Sequence, residues 1–316
     1  MTIYHYVERG YCWKCGRRTS HKDDEGKFFC TFCAMKNINN TLDEREKEII
    51  SKLKKSKLTP AEISSILSSP RLPIPSNIKP YNCKTTKVKF GIFGDTHIGN
   101  KYYDGDLMKY MAKTFNSMND LEFVIFCGDA CEGHYESKRQ GSIFELDCIG
   151  GDAQVEKVVK EFGQIKKPIY GITGNHETNT FYKMSGFDIG NQLKEKLKNW
   201  NYLGQGRGTI NLPHKNKIEV LHPDGGSSYA ISYKSQKIVE SLEGGTKPSL
   251  LLIGHFHKAE YLFYRNVHVI QTGCIESQTD FMRNNHLSAH KGFWVVELEV
   301  GKNGISKIVP QFYPAY

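Results

Sequence analysis

The chain of 316 residues carries 43 Lys and Arg against 34 Asp and Glu, a formal net charge of +9, with 39% hydrophobic residues and nine cysteines. That length holds one large domain and a small one, and the apolar content supports a buried core. No run of eighteen apolar residues occurs and the first residues lack the basic-then-apolar pattern of a leader, so neither a membrane span nor export is expected.

Nine cysteines in an unexported chain argue for thiols and metal rather than disulfides, and for a cytoplasmic setting. The positive charge is uneven. Residues 1–86 hold 16 Lys and Arg against 9 Asp and Glu, whereas residues 87–316 hold 27 against 25. The excess is either a solvated basic face or a footprint for a polyanion, which makes nucleic acid the expected partner of the N-terminal part.

Cys12-Trp-Lys-Cys15 and Cys30-Thr-Phe-Cys33 are two C-x-x-C knuckles separated by fourteen residues. Such pairs grip opposite edges of a tetrahedral Zn²⁺, and the segment between them reads as a short hairpin, so residues 1–40 are expected to form a zinc-ribbon-like module. Four thiolates leave no open coordination position, and this zinc would be structural. Thr41-Leu-Asp-Glu44 and Thr59-Pro-Ala-Glu62 are capping boxes that start two short helices, a hairpin over 41–68. A helix-turn-helix would need a third helix, but Pro70, Pro73, Pro75 and Pro80 forbid a regular one there. Residues 69–86 read as an extended linker.

From Lys87 the pattern becomes strand, polar cluster, helix. Strands are expected at 88–93, 123–127, 169–173, 217–221 and 249–253, with helices at about 106–118, 152–166, 188–198 and 229–242. Four further strands follow at 259–264, 267–271, 292–300 and 306–312. Parallel βα units followed by meandering strands predict an α/β domain over 87–316, with two sheets packed face to face and helices outside.

Four apolar runs end in a glycine and then in metal-type side chains: FGIFGDTH through Asp95 and His97, FVIFCGD through Asp129, IYGITGNHE through Asn175 and His176, and LLLIGHFH through His255 and His257. A strand at 217–221 ends at His222. Buried strands that end in such turns put ligands on the carboxyl edge of a sheet, where open α/β folds place their sites. Asp95, His97, Asp129, Asn175, His222, His255 and His257 mix carboxylate, imidazole and amide oxygen. That mixture suits Mn²⁺ first, with Fe or Zn²⁺ as alternatives, over an all-oxygen Mg²⁺ or Ca²⁺ cage. Seven ligands exceed one metal's needs, and a shared carboxylate divides them four and four between two.

Asp95-Thr-His97, Gly128-Asp129, Gly174-Asn175-His176-Glu177, His222 and Gly254-His255-Phe-His257 resemble the motif set of the calcineurin-like metallophosphoesterases over about residues 88–300. The resemblance implies a four-layer αββα sandwich and phosphoester hydrolysis. It also implies Asp95, His97, Asp129 and His257 on one metal, with Asp129 bridging to a second held by Asn175, His222 and His255. It makes His176 the general acid and Glu132 the carboxylate that orients it. The segment Glu132-Gly133-His134 lacks the arginine that protein Ser/Thr phosphatases carry there. Asp-Thr-His-Ile-Gly is similar to the first motif of the SbcD-type nucleases. The expected function is therefore a nuclease or nucleic-acid phosphodiesterase. The alternatives are a phosphatase or phosphodiesterase of small nucleotides or phosphoproteins, and a non-catalytic nucleic-acid-binding scaffold. Outside the motifs, Tyr102-Tyr103 could stack a base, and Lys138-Arg139, Arg283 and Lys291 could touch phosphates. Cys127, Cys131, Cys148 and Cys274 read as ordinary buried thiols.

Overall fold

The computed structural model describes residues 10–11, 18–19, 80–134, 143–243, 245 and 247–316. The chain divides into two compact units, 1–74 and 75–316. In the first, the described residues form one antiparallel pair, β1 (Gly10–Tyr11) and β2 (Arg18–Thr19), with Gly10 opposite Thr19. Cys12, Cys15, Cys30, Cys33, the helical hairpin over 41–68 and most of the linker lie outside the described residues, as do Lys138 and Arg139.

The second unit holds two six-stranded mixed sheets. One has β3 (Tyr81–Asn82), β8 (Arg207–Asn211), β9 (Lys217–Leu221), β10 (Leu250–Ile253), β12 (Val267–Thr272) and β11 (Ala259–Tyr264) side by side. Within it β9, β10 and β12 run parallel. The other orders β7 (Trp200–Gln205), β6 (Ile169–Thr173), β5 (Leu121–Cys127), β4 (Lys87–Phe93), β13 (Gly292–Gly301) and β14 (Gly304–Pro314). Here β4, β5, β6 and β7 are parallel, and the β13–β14 hairpin closes the edge antiparallel to β4.

Strand periodicity sorts the core. Val88, Phe90 and Ile92 of β4 and Phe123, Ile125 and Cys127 of β5 point between the sheets, where they join Ile218, Val220, Leu250, Leu252 and Ile270 in one apolar cluster. The alternate residues Phe93, Val124 and Phe126 face outward against helices α1 (Gly105–Ser117) and α2 (Gly151–Phe162). At Gly91 any Cβ would overlap the Phe115 ring, so this glycine lets α1 lie close on the sheet. After β6 the chain forms a single helical turn, α3 (Asn175–Glu177), a π-helical turn over Thr178–Tyr182 and a second turn, α4 (Lys183–Ser185). Helix α5 (Ile189–Lys196) joins α1 and α2 on the same face, whereas α6 (Tyr233–Ser241) covers the far sheet through Val239 against Leu251, Ile253, Val267 and Val269. The layers are therefore helix, sheet, sheet, helix, an α/β fold with two mixed sheets flanked by helices.

The expected elements from Lys87 onward are present, with differences at their ends. The helix expected over 152–166 stops at Phe162, ahead of Gly163 and Pro168. The one expected over 229–242 starts at Tyr233, after a polar stretch rich in glycine and serine. Strands β7 and β8 were not foreseen. Tyr81–Asn82, inside the segment read as linker, pairs in parallel with Ile210–Asn211 and stacks the Tyr81 ring on Tyr170 at 4.1 Å.

Candidate metal centre

Three parallel strands of each sheet end on the same side of the sandwich. Their following loops bring Asp95 and His97 (after β4), Asp129 and Glu132 (β5), Asn175 and His176 (β6), His222 (β9) and His255 and His257 (β10) to one place. Asp95, His97, Asp129, His255 and His257 all have positive φ, between 47° and 80°. Left-handed backbone at a non-glycine residue costs on the order of 1–3 kcal/mol and persists where the surroundings over-determine it. Five cases in one cluster mark the place where the fold is held in strain to aim side chains inward. Gly174 serves the same end, because a Cβ there would overlap the Asp129 carboxylate.

The imidazoles are oriented from behind. His97 Nδ1–H donates to the Glu132 carboxylate (2.9 Å), His176 Nδ1–H to the Glu132 carbonyl (2.6 Å) and His222 Nδ1–H to the Cys127 carbonyl (2.8 Å). His255 uses Nε2–H on the Gly225 carbonyl. In His97 and His222 the other nitrogen, Nε2, faces the cluster, toward His257 and toward Asp129 and Asn175 respectively, as in metal-binding histidines whose second nitrogen is fixed by an acceptor. His257 is the exception, for its Nδ1 is buried with no hydrogen-bond partner among the described residues. Glu132, expected beside His176, gives its carboxylate to His97 instead. It lies 3.6 Å from His176 Nδ1, which the nearer backbone carbonyl satisfies.

The donors fall into two sets. Asp95, His97 and His257 converge, as do Asp129, His222 and His255, each within 4.8 Å. Asn175 joins the second, its Oδ1 3.0 Å from His222 Nε2. Asp129 lies between the sets, with Oδ2 3.0 Å from His222 Nε2 and 3.8 Å from His97 Nε2. The Nε2 atoms of His97 and His257 face each other at 3.0 Å. Two nitrogens bound to one metal at about 2.0–2.1 Å with ordinary bond angles stand about 3 Å apart, so this spacing fits a shared ion. Five of the seven expected ligands, His97, Asp129, Asn175, His255 and His257, line one pocket of about 390 Å³, with Asp95 and His222 buried beside them, and the donor set fits divalent transition metals.

The electrostatics agree with a site built for cations. Asp95 is fully buried, and burial pushes its carboxyl up to about 8, with the Asp129 charge adding and His222 opposing. Burial also disfavours charge on His222, but the adjacent Asp129 carboxylate outweighs it and lifts the imidazole to about 10. His255 is lowered to about 4 by burial and by His222. Buried acids held at such cost are what a bound dication would relieve.

The sequence matches the model of the calcineurin-like phosphoesterase superfamily domain over residues 88–289. The chain belongs to the calcineurin-like phosphoesterase superfamily. It is a metal-dependent phosphoester hydrolase. Similar solved structures include a novel archaeal phosphodiesterase, at 17% identity over 72% of this chain and 100% of the other, with a TM-score of 0.40. A predicted phosphoesterase from Streptococcus pneumoniae matches at 14% over 72% and 98%, TM-score 0.36. A putative 5'-nucleotidase from Staphylococcus aureus matches at 13% over 72% and 54%, TM-score 0.43. No curated protein matches the chain. No helix among the described residues is long and apolar enough to cross a membrane.

Several contacts of this phosphoesterase site were not foreseen. Glu177 is buried and accepts from the backbone N–H groups of Gly174 (2.6 Å) and Cys131 (2.8 Å), which ties the β6 turn to the β5 loop. Gln154 bonds both N–H and C=O of Gly133. Glu276, after β12, lines the pocket beside His257. Of the other candidates, Tyr103 is tied to Glu161 at 3.0 Å and Lys291 to Asp104 at 2.9 Å. Tyr102 is partly open, with the Lys101 ammonium 5.0 Å and the Arg283 guanidinium 5.3 Å from its ring centre. Cys127, Cys131 and Cys274 are buried thiols, pushed up by burial.

Proposed function

We propose that this phosphoesterase is a dinuclear enzyme that cleaves phosphodiesters of nucleic acid. The position of Asp129 between two sets of imidazoles carries the reading, since a carboxylate so placed serves two ions at once. Asp95, His97, Asp129 and His257 would hold one ion, with Asp129, Asn175, His222 and His255 holding the other, and Mn²⁺ suits the donors best. Bound ions of this kind supply Lewis acidity toward the phosphate oxygens and lower the pKa of a water. His176 presents Nε2 to the pocket, 3.9 Å from Asp129 Oδ2, and serves as the acid that protonates the leaving oxygen. Its Nδ1–H is spent on a backbone carbonyl, and the Asp129 and Glu132 charges favour the protonated ring against burial. Arg283 and Lys101, both paired with Asp280, flank the half-buried Tyr102 ring beside the pocket residues Met282 and Asn100, a stacking face with cations next to it that suits a polynucleotide strand. The first motif's likeness to SbcD-type nucleases and the basic N-terminal part, with a structural zinc on Cys12, Cys15, Cys30 and Cys33, support the same substrate.

A second reading, hydrolysis of small nucleotides, is favoured by the pocket. Its volume suits a single nucleotide, Phe256, Phe281, Met282 and Leu287 offer an apolar wall, and no Lys or Arg is among its described lining residues. One experiment separates the two. The Mn²⁺-supplemented protein is assayed on single- and double-stranded DNA, RNA, and aryl mono- and diesters at low and moderate salt. Cleavage of polynucleotides that falls steeply with salt, beside salt-insensitive aryl diester hydrolysis, is expected. Uncut polynucleotides with turnover of nucleotides would transfer the reading to the second. No hydrolysis and no paired-site metal would leave the scaffold.

A further inference from the structure

Glu276 follows β12, carries no part of the ligand motifs, and is 2% exposed. Its Oε1 has no hydrogen-bond partner among the described residues, and Glu132, Asp95, Asp129 and Glu145 all add repulsion to the cost of burying it. A buried carboxyl oxygen without a hydrogen bond is costly, so it contributes nothing to the fold that an apolar side chain could not. Among the described residues its Oε2 is paired with His257 Nδ1 at 3.8 Å, beyond hydrogen-bond distance, and that buried nitrogen likewise has no hydrogen-bond partner among them.

The other four imidazoles of the site show what is missing. His97, His176, His222 and His255 each donate one ring N–H to a carboxylate or a carbonyl behind them. Only His257 lacks an acceptor among the described residues, and it is the ring whose Nε2 faces His97 Nε2 and Asp95 Oδ1. A cation on Nε2 fixes the proton on Nδ1, and a buried N–H then needs an acceptor. We propose that Glu276 is the positioning residue of His257: its carboxylate closes on Nδ1–H when Nε2 takes a metal, and so sets the affinity of the Asp95–His97–His257 position alone. This rests on the dinuclear reading above. It pairs Glu276 with His257 as Glu132 is paired with His97, a buried carboxylate behind each imidazole of that position.

The test titrates Mn²⁺ into the full-length protein and its variants against a chelator of known affinity, with the ions counted by elemental analysis and followed by electron paramagnetic resonance. Glu276→Ala is expected to weaken one of the two Mn²⁺ affinities 10- to 100-fold and leave the other within about twofold. Glu276→Gln, which keeps an acceptor oxygen, is expected to recover most of the loss. A purely structural role would lower thermal stability without separating the two affinities. If Glu276→Ala does not fold, the wild type still decides: its Zn²⁺-loaded, ¹⁵N-histidine-labelled form should show a slowly exchanging Nδ1–H of His257, and Glu276→Gln should speed its exchange. Two unchanged Mn²⁺ affinities in Glu276→Ala, or no protected Nδ1–H, would overturn the proposal and leave the dinuclear reading standing. A wild type that binds no metal pair would overturn both.

Discussion

Truncation of His176 discriminates between an acid and a ligand. The ring is buried and held by Nδ1 on the Glu132 carbonyl at 2.6 Å, and its backbone N–H separately donates to Asp129 Oδ1 at 2.9 Å. His176→Ala removes the first contact and keeps the second, so Asp129 stays aimed and both metals should remain. Loss of a general acid costs about 10²–10⁴-fold, or about 3–5 kcal/mol in the barrier, when the leaving group is a poor one. A sugar alkoxide needs that proton, whereas a nitrophenolate leaves as an anion. The variant should therefore lose about 10²-fold or more on an alkyl or nucleic-acid diester and no more than about tenfold on an aryl diester. The assay is kcat/KM on the two diesters at saturating Mn²⁺, with metal content measured on the same sample. His97, Asp129 and His176 also lie close enough to share an ion. Equal losses on both substrates, or one metal fewer, would refute the argument and make His176 a ligand.

Asp129→Asn should lower occupancy of both paired positions, because one carboxylate serves the two sets; normal metal content with normal turnover would reject the bridge. Above about pH 6.5 the metal-free protein should lose stability as pH rises. Asp95 at about 8 lies above its usual 3.8 and His222 at about 10 above its usual 6.5, so the folded chain holds protons that the unfolded chain releases, from about pH 4 to 8 and 6.5 to 10 respectively. His255, lowered to about 4, acts the opposite way only below about pH 6.5. Metal binds the deprotonated ligands, so the rise in Tm on adding Mn²⁺ without oxygen should widen from pH 7 to 9; a constant or shrinking gap contradicts these shifts. Cys30→Ser should release one zinc and leave aryl diester hydrolysis within a few-fold. Loss of that activity from a folded protein would put the cysteine module in the active site.

The positions of the side chains that meet at the candidate site were legible in the chain because each lies within a few residues of a strand end. A run such as Phe123–Cys127 must be a buried strand, Gly128 allows the turn with φ +96°, and Asp129 follows at the sheet edge whatever lies elsewhere. The order of strands and helices from Lys87 was readable for the same reason, since strands buried on both faces are continuous apolar runs and helices buried on one face leave a 3.6-residue period. Other features depend on which edges meet. The short β3 and β8 carry weak patterns and exist through their pairing with each other and with β9. The carboxylate of Glu132 goes to His97 because the β4 and β5 loops pack together, bringing side chains 35 residues apart to 2.9 Å, while a carbonyl takes His176. Glu276 had no local signal at all. It becomes part of the site only because β12 lies parallel to β10 and ends at the same edge, which places one acid among 34 behind the imidazole of His257. Residue types near a strand end are set by local sequence; the choice of partner for each buried nitrogen is set by packing, where a shift of about 1 Å decides whether an acceptor is reached.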